Sequence, residues 1–397
     1  MKEPFYIQWH ITNTCNLRCQ HCYQDDFSRT YDLEWSGLKE VSDTILEAMD
    51  VWDRTACIHL TGGEPLLKPE IFPLLDYLNQ KTTVEELGLI TNGLCIDRKM
   101  VKRLSPFSKL TKIKLSLDGA DAETNDVIRG KGVFEKILES LSLLKAEQKF
   151  EIILMFTLMK ENYRNLPSYL ALFQELGVDG LILERFIPWG RGRARLGDVL
   201  EKEQWADVIK TLSNFFSAET DEQGFLPFQA FNVRQHDGEM ELLGAPCVVG
   251  VDGLCVMPDG TVFPCRRFPV SMGNLRDNSL REIWETSELL AALRKKENLK
   301  GKCGCCDIED CRGCRSLALS LTGDYLAEDP HCGYQPKASL FEGRTHRKAA
   351  EGTARHSAAK SETRNPKSET NSNDQNSNDL NKLEKELYED LNKISRN

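Results

Sequence analysis

No stretch of this sequence reaches the roughly 18 unbroken apolar residues that a membrane span requires, and the opening Met1-Lys2-Glu3-Pro4 lacks the apolar core of a secretion signal. A soluble, cytoplasmic protein with no membrane partner is therefore expected. Excess positive charge is lacking too, since 51 Lys and Arg stand against 61 Asp and Glu, a net charge of −10. A chain without a basic balance has no general attraction for phosphate backbones, so nucleic acid is not an expected partner. A third lack is local. From Gly343 to Asp379 there is no Val, Ile, Leu, Met, Phe, Tyr, Trp or Cys, and such a stretch cannot offset the entropy of ordering it. Residues 341–397 are expected to form a disordered tail, with a short helix at most where Leu380, Leu383, Leu387, Leu391 and Ile394 share a face.

What the sequence does hold is cysteine, 14 in 397 residues. In a reducing compartment thiols rarely pair as disulfides, so metal or metal-cluster ligation is the default reading. The surrounding pattern is α/β. Strand-like runs at Phe5–Ile11, Cys57–Thr61, Glu86–Thr91, Lys112–Leu117, Ile152–Thr157 and Gly180–Leu183 alternate with amphipathic stretches such as Leu38–Met49 and Val133–Leu144. Six strand-then-helix units in series require a parallel sheet. They are too few for a closed eight-stranded barrel, and a partial (β/α)6 TIM-like barrel is expected, with its chemistry at the carboxyl ends of the strands. Residues 1–190 are assigned to this barrel and residues 191–240 to a bridging region with a Gly/Arg-rich loop and a helix near Glu201–Ser217. Residues 241–340 form a second domain, because nine of the cysteines fall between Cys247 and Cys332.

The first strand runs into Thr14-Cys15-Asn16-Leu17-Arg18-Cys19-Gln20-His21-Cys22. Three thiolates at this spacing can hold three irons of a 4Fe-4S cluster, and no fourth cysteine lies nearby. The fourth iron is left open to chelate a ligand, whereas a cluster that only transfers electrons normally has four thiolates. The alternative is a zinc site in which His21 supplies the fourth ligand, but zinc motifs rarely use this three-residue first gap.

On this motif the chain resembles the radical S-adenosylmethionine (SAM) family. Thr61-Gly62-Gly63-Glu64-Pro65 follows the second strand, where the family binds the amino group of SAM. Glycines allow close backbone approach, and Glu64 is expected to supply a countercharge for the ammonium. Asn92 ends the third strand, and Ser116 and Asp118 end the fourth, where a family serine contacts the ribose. Arg129 resembles the arginine that pairs with the SAM carboxylate. The resemblance thus implies Cys15, Cys19 and Cys22 as the catalytic cluster's ligands and Gly62, Gly63, Glu64, Asn92, Ser116, Asp118 and Arg129 as cofactor-binding residues.

The second domain is similar to the SPASM domain, an auxiliary-cluster extension of radical SAM enzymes. The similarity rests on Cys247, Cys255, the Pro258-Asp259-Gly260 turn before Cys265, Gly273-Asn274-Leu275, Cys303-Gly304-Cys305-Cys306, Cys311-Arg312-Gly313-Cys314 and Cys332. It implies one 4Fe-4S cluster on Cys247, Cys255, Cys265 and Cys314 and another on Cys303, Cys306, Cys311 and Cys332. One spacing departs from the family, leaving the choice between Cys305 and Cys306 open. Cys57 and Cys95 fit no ligand pattern and are read as small buried hydrophobes.

Together these resemblances imply three 4Fe-4S clusters, SAM as cofactor, and a flavodoxin or ferredoxin reductant. The implied enzyme cleaves SAM reductively and abstracts hydrogen from a substrate. The favoured substrate is a ribosomally made peptide or a protein that acquires a thioether or carbon crosslink, with leader recognition falling to a separate protein or another surface. Tetrapyrrole side-chain modification is a second reading, because Arg185-Phe186-Ile187-Pro188-Trp189-Gly190-Arg191-Gly192-Arg193 offers arginines that suit propionates. A sulfatase maturase is disfavoured, since Arg266 and Arg267 stand where that class has an aspartate. A non-catalytic iron-sulfur electron carrier is the reading from outside the enzymes.

Overall fold

A computed structural model describes residues 3–336 apart from 221–222, 227, 237–238 and 246. The apolar-poor tail and the Leu380–Ile394 segment lie outside the described residues. Among the described residues no helix is long and apolar enough to cross a membrane.

Six strands, β1 (Phe5–His10), β2 (Ala56–Thr61), β3 (Val84–Thr91), β4 (Leu110–Ser116), β5 (Glu151–Leu158) and β6 (Gly180–Arg185), pair in sequence order and in parallel. Helices such as Trp35–Trp52, Ile71–Asn79, Val133–Glu147 and Leu166–Leu176 connect them. This is the expected partial barrel. Its edges are extended on both sides. The hairpin β7 (Ala230–His236) and β8 (Glu239–Ala245) adds antiparallel to β6. On the other side β9 (Gly253–Val256) pairs in parallel with β1, followed by β10 (Thr261–Phe263) and the short β11 (Gly273–Asn274). The cysteine-dense region is therefore joined to the barrel by backbone hydrogen bonds, with Tyr6 opposite Gly253 and Gln8 opposite Cys255.

The strand faces divide the chemistry. Phe5, Ile7, Trp9, Ile58, Leu60, Leu87, Leu89, Ile113, Leu115, Leu154, Phe156, Leu181 and Leu183 are buried in the core that the helices cover. Alternate residues point into the barrel, and many are polar: Tyr6, Gln8 and His10 on β1, His59 on β2, Glu86 on β3, Lys112, Lys114 and Ser116 on β4, and Glu184 on β6. Period-two alternation is unusual for parallel strands covered by helices, where both faces are normally apolar. Here it marks a barrel with a polar interior.

The lower part of that interior is filled. Tyr6 Oη lies 3.2 Å from His59 Nδ1, His59 Nε2 lies 3.1 Å from Glu86, and Lys112 Nζ lies 2.8 Å from Glu86. Gly88 makes room for the imidazole, since a Cβ there would come within 2.5 Å of the His59 ring. Burial lowers the pKa of His59 to about 4, so the ring is neutral at pH 7.

Candidate functional site

Above this plug, at the carboxyl ends of the strands, Cys15, Cys19 and Cys22 line one cavity of about 130 Å³. The loop that carries them is held from several sides. The amide of Asn13 donates to Asp32 at 3.0 Å and that of Glu64 to the Thr14 carbonyl at 2.7 Å. Asn92 Nδ2 donates to Asn16 Oδ1 at 2.7 Å and approaches Cys15 Sγ at 3.7 Å. The Gly/Arg-rich segment closes over the loop, with the amide of Gly192 donating to the Cys22 carbonyl at 2.9 Å. Gly190 sits there at φ +52°, where a Cβ would lie 2.5 Å from the Tyr23 carbonyl oxygen.

The second strand's turn forms the facing wall. A Cβ on Gly63 would meet the carbonyl oxygens of Thr14 and Asn13 at 2.4 and 2.5 Å, and one on Gly62 would meet that of Thr12 at 2.5 Å. Gly62, Gly63, Asn92, Ser116 and Arg129 line the cavity with the three cysteines, as the SAM-site reading requires, whereas Glu64 and Asp118 do not.

Glu64, where a countercharge for SAM is expected, is not among the residues that line this cavity. It is fully buried and accepts from the amide of Leu66 at 3.1 Å, the amide of Asn92 at 2.8 Å and the Thr91 hydroxyl at 2.8 Å. Burial pushes its pKa up to about 7 against the pull of these donors. The side chain ties the ends of β2 and β3 together behind the wall. Asp118 also lies outside this lining. It is fully buried and holds Arg129 Nε at 2.7 Å and His21 Nε2 at 3.1 Å, so it orients two lining residues. Burial would raise its pKa, but Arg129 and then His21 hold it down to about 2. His21, the fourth ligand of the zinc alternative, is committed to this carboxylate. Among the described residues no three His, Cys, Asp or Glu side chains are gathered for a single metal ion.

Cys247, Cys255, Cys265 and Cys314 line a second cavity of about 430 Å³, which shares Glu184, Arg185, Arg266 and Arg267 with the first. Cys303, Cys306, Cys311 and Cys332 line a third, smaller one. Cys305 is absent from it. Its thiol donates to the Lys302 and Gly301 carbonyls at 3.5 and 3.7 Å, inside its own turn of the helix Gly301–Cys305. The three sets fit iron-sulfur clusters by their donor chemistry. Burial raises the pKa of every thiol for which a shift is resolved, including Cys22 to about 11 and Cys332 to about 11, and a bound cationic cluster is what would reverse this. Cys57 and Cys95, both half-buried, line none of the three cavities; Cys95 packs against the core beside the first set, 3.8 Å from Asn16 Nδ2.

Lys114 and Glu184 were carried by no motif. Glu184 lies 2.6 Å from Arg266 and 3.5 Å from Arg267, and Lys114 faces the second cavity from β4. Their signal in the sequence is the polar alternation within the strands. Arg185, read with its segment as an arginine suited to propionates, is buried and paired with Asp329 at 2.7 Å.

Comparison with known proteins agrees with this geometry. The sequence model of the radical SAM superfamily matches residues 9–173, and that of SPASM, an iron-sulfur cluster-binding domain, matches residues 247–315. The chain is 33% identical to the AdoMet-dependent heme synthase of Methanosarcina barkeri over 84% of this chain and 97% of that one. It is 29% identical to the mycofactocin maturase MftC of Mycolicibacterium smegmatis over 84% of this chain and 83% of that one. In fold it is similar to native anSMEcpe with bound AdoMet and Cp18Cys peptide, with a TM-score of 0.64 at 20% identity over 89% of this chain and 99% of that one.

Proposed function

The chain belongs to the radical SAM superfamily and carries an iron-sulfur SPASM domain, and from this we propose that it modifies a carboxylate-bearing side chain of a tetrapyrrole. In this reading Cys15, Cys19 and Cys22 hold the cluster that binds SAM, and the other two cysteine sets hold two auxiliary clusters with Cys306, not Cys305, as ligand. With cluster and SAM in place, one-electron reductive cleavage supplies a 5′-deoxyadenosyl radical that removes a hydrogen atom from the substrate. The protein's part is positioning. Gly62 and Gly63 offer close backbone approach for the SAM amino group, and Arg129, aimed by Asp118, meets its carboxylate. Ser116 faces the same cavity. The segment Trp189–Gly192 closes over the Cys loop and keeps water from it.

The observation that carries the substrate class is the second cavity's lining, where Lys114, Arg185, Arg266, Arg267 and Arg315 stand against the one carboxylate of Glu184. Such a wall between two cysteine sets suits an anionic substrate with several carboxylates. The heme synthase relative supports the same class. Peptide maturation is the second reading, supported by the similarity to the mycofactocin maturase and to a fold that binds peptide. The Arg266 and Arg267 pair, bound to Glu184, replaces the aspartate of sulfatase maturases, and superfamily membership sets the electron-carrier reading aside.

Anaerobically reconstituted protein with SAM, dithionite and coproporphyrin III tests the proposal. The expected result is 5′-deoxyadenosine together with a change in porphyrin mass. An unchanged porphyrin, with modification instead of a peptide encoded beside the gene, would replace it by the second reading.

A further inference from the structure

Lys114 is only 8% exposed, yet its ammonium forms no ion pair or hydrogen bond with any described residue, and the nearest aromatic face, that of Tyr6, is 6.0 Å away. The carboxylates around it are already committed. Glu184, on β6, is held by Arg266 and Arg267, and Glu86, on β3, is held by Lys112 and His59. A cation taken from water without a partner is costly, and proteins seldom keep one unless something supplies the missing anion. The cost is visible in its pKa, lowered to about 8 chiefly by burial, with Glu184 and Glu86 pulling the other way and Lys112 and Arg266 adding repulsion. The ammonium is not sealed in. It lines the 430 Å³ cavity that also reaches Cys247, Cys255, Cys265 and Cys314. On the same inward face of β4, two residues on, Ser116 lines the cavity that holds Cys15, Cys19 and Cys22.

We propose that Lys114 binds a substrate carboxylate, fixing the substrate's side chain between the two cysteine sets beneath Ser116. This rests on the tetrapyrrole reading and adds to it the residue that recognises the propionate. The other cations of the wall differ from Lys114 in being occupied: Arg185 by Asp329, Arg266 and Arg267 by Glu184, and Arg315 by the Tyr325 and Ala327 carbonyls. An incoming carboxylate therefore finds at Lys114 a cation of that wall that no described residue holds in a salt bridge or hydrogen bond, with only the longer-range pull of Glu184 and Glu86 to compete with.

The test uses full-length, cluster-loaded protein and two probes, coproporphyrin III and its uncharged tetramethyl ester, titrated by porphyrin absorbance. Wild type is expected to prefer the acid at least tenfold. Lys114→Met should lose at least tenfold in affinity for the acid and less than twofold for the ester, and Lys114→Arg should recover most of the loss. The same Lys114→Met variant should unfold at a higher temperature than wild type, because a buried unpaired charge is gone. A lysine serving only the fold would move this readout the other way. Unchanged affinity for the acid, or equal losses for acid and ester, overturns the assignment of Lys114 while leaving the tetrapyrrole reading in place. If wild type binds neither probe, that reading fails and the inference falls with it.

Discussion

Glu64 stands in the turn where the sequence leads one to expect a countercharge for SAM. Its position in the Gly62-Gly63-Glu64 turn was legible, but the direction of its carboxylate was not. That direction depends on the amide of Asn92 and the hydroxyl of Thr91, which arrive from the next strand. Replacing it by Gln sets an amide N–H against one of the three donors it now accepts from. Leaving a buried donor unsatisfied costs about 1 to 3 kcal/mol. Glu64→Gln is therefore expected to lower the stability of the cluster-loaded protein by about that amount in denaturant titrations, and SAM affinity should fall with it. Unchanged stability with weakened SAM binding would return Glu64 to the role of a countercharge. Cys305 and Cys306 pose a similar problem. The resemblance implies Cys306 but one spacing leaves Cys305 open, and the helical turn Gly301–Cys305, which spends the Cys305 thiol on its own carbonyls, favours Cys306.

At the scale of elements, all six barrel strands were legible as short β-rich runs alternating with amphipathic helical stretches. The joining of β9 to β1 was not. It pairs residues far apart in the chain, Tyr6 with Gly253, and a free strand edge leaves no local mark of what will cover it. The elements also make two predictions. Gly63→Ala would press a methyl group against two backbone oxygens of the Cys loop, which cannot yield without moving Cys15. SAM binding should drop at least tenfold and iron should be lost from the first cluster, whereas Gly197→Ala, with nothing within 4 Å, should match wild type in both assays. The second concerns the polar barrel. His10 and His59 are buried with pKa values lowered to about 3 and about 4, mainly by burial. An unfolded histidine titrates near 6.5, so the unfolded chain binds the proton more readily, and stability present above pH 6.5 is lost as pH falls toward those values. Thermal midpoints should decline from pH 7.5 to 5.5 on protein whose cluster absorbance is constant, and His59→Gln should flatten that slope.

At the scale of the whole molecule, one sheet carries both kinds of cysteine site, yet the sites occupy different positions on it. The loop of Cys15, Cys19 and Cys22 leaves the end of β1, braced by β2, β3 and the segment Trp189–Gly192. Cys247 and Cys265 line a second cavity that shares Glu184, Arg266 and Arg267 with the first. If the auxiliary sites serve the substrate and not SAM cleavage, removing Cys247 and Cys265 should separate the two halves of the reaction. The double Ala variant should keep about eight of about 12 irons, four for each cluster that remains. It should still form 5′-deoxyadenosine from SAM and dithionite, because no group in the first cavity's Cys loop or glycine turn has been changed. Modified substrate should not appear. Cys255 sits on β9 and pairs with Gln8, so losing the cluster it would hold also loosens β1. A Cys314→Ala variant, altered at the start of the helix Arg315–Thr322 and away from β1, answers that: it should lose product and keep SAM cleavage in the same way. Normal product from either variant would remove the auxiliary cluster from the reaction. Loss of 5′-deoxyadenosine from both, with the first cluster's iron retained, would mean that the shared wall of Glu184, Arg266 and Arg267 couples the two sites more tightly than their separate linings suggest.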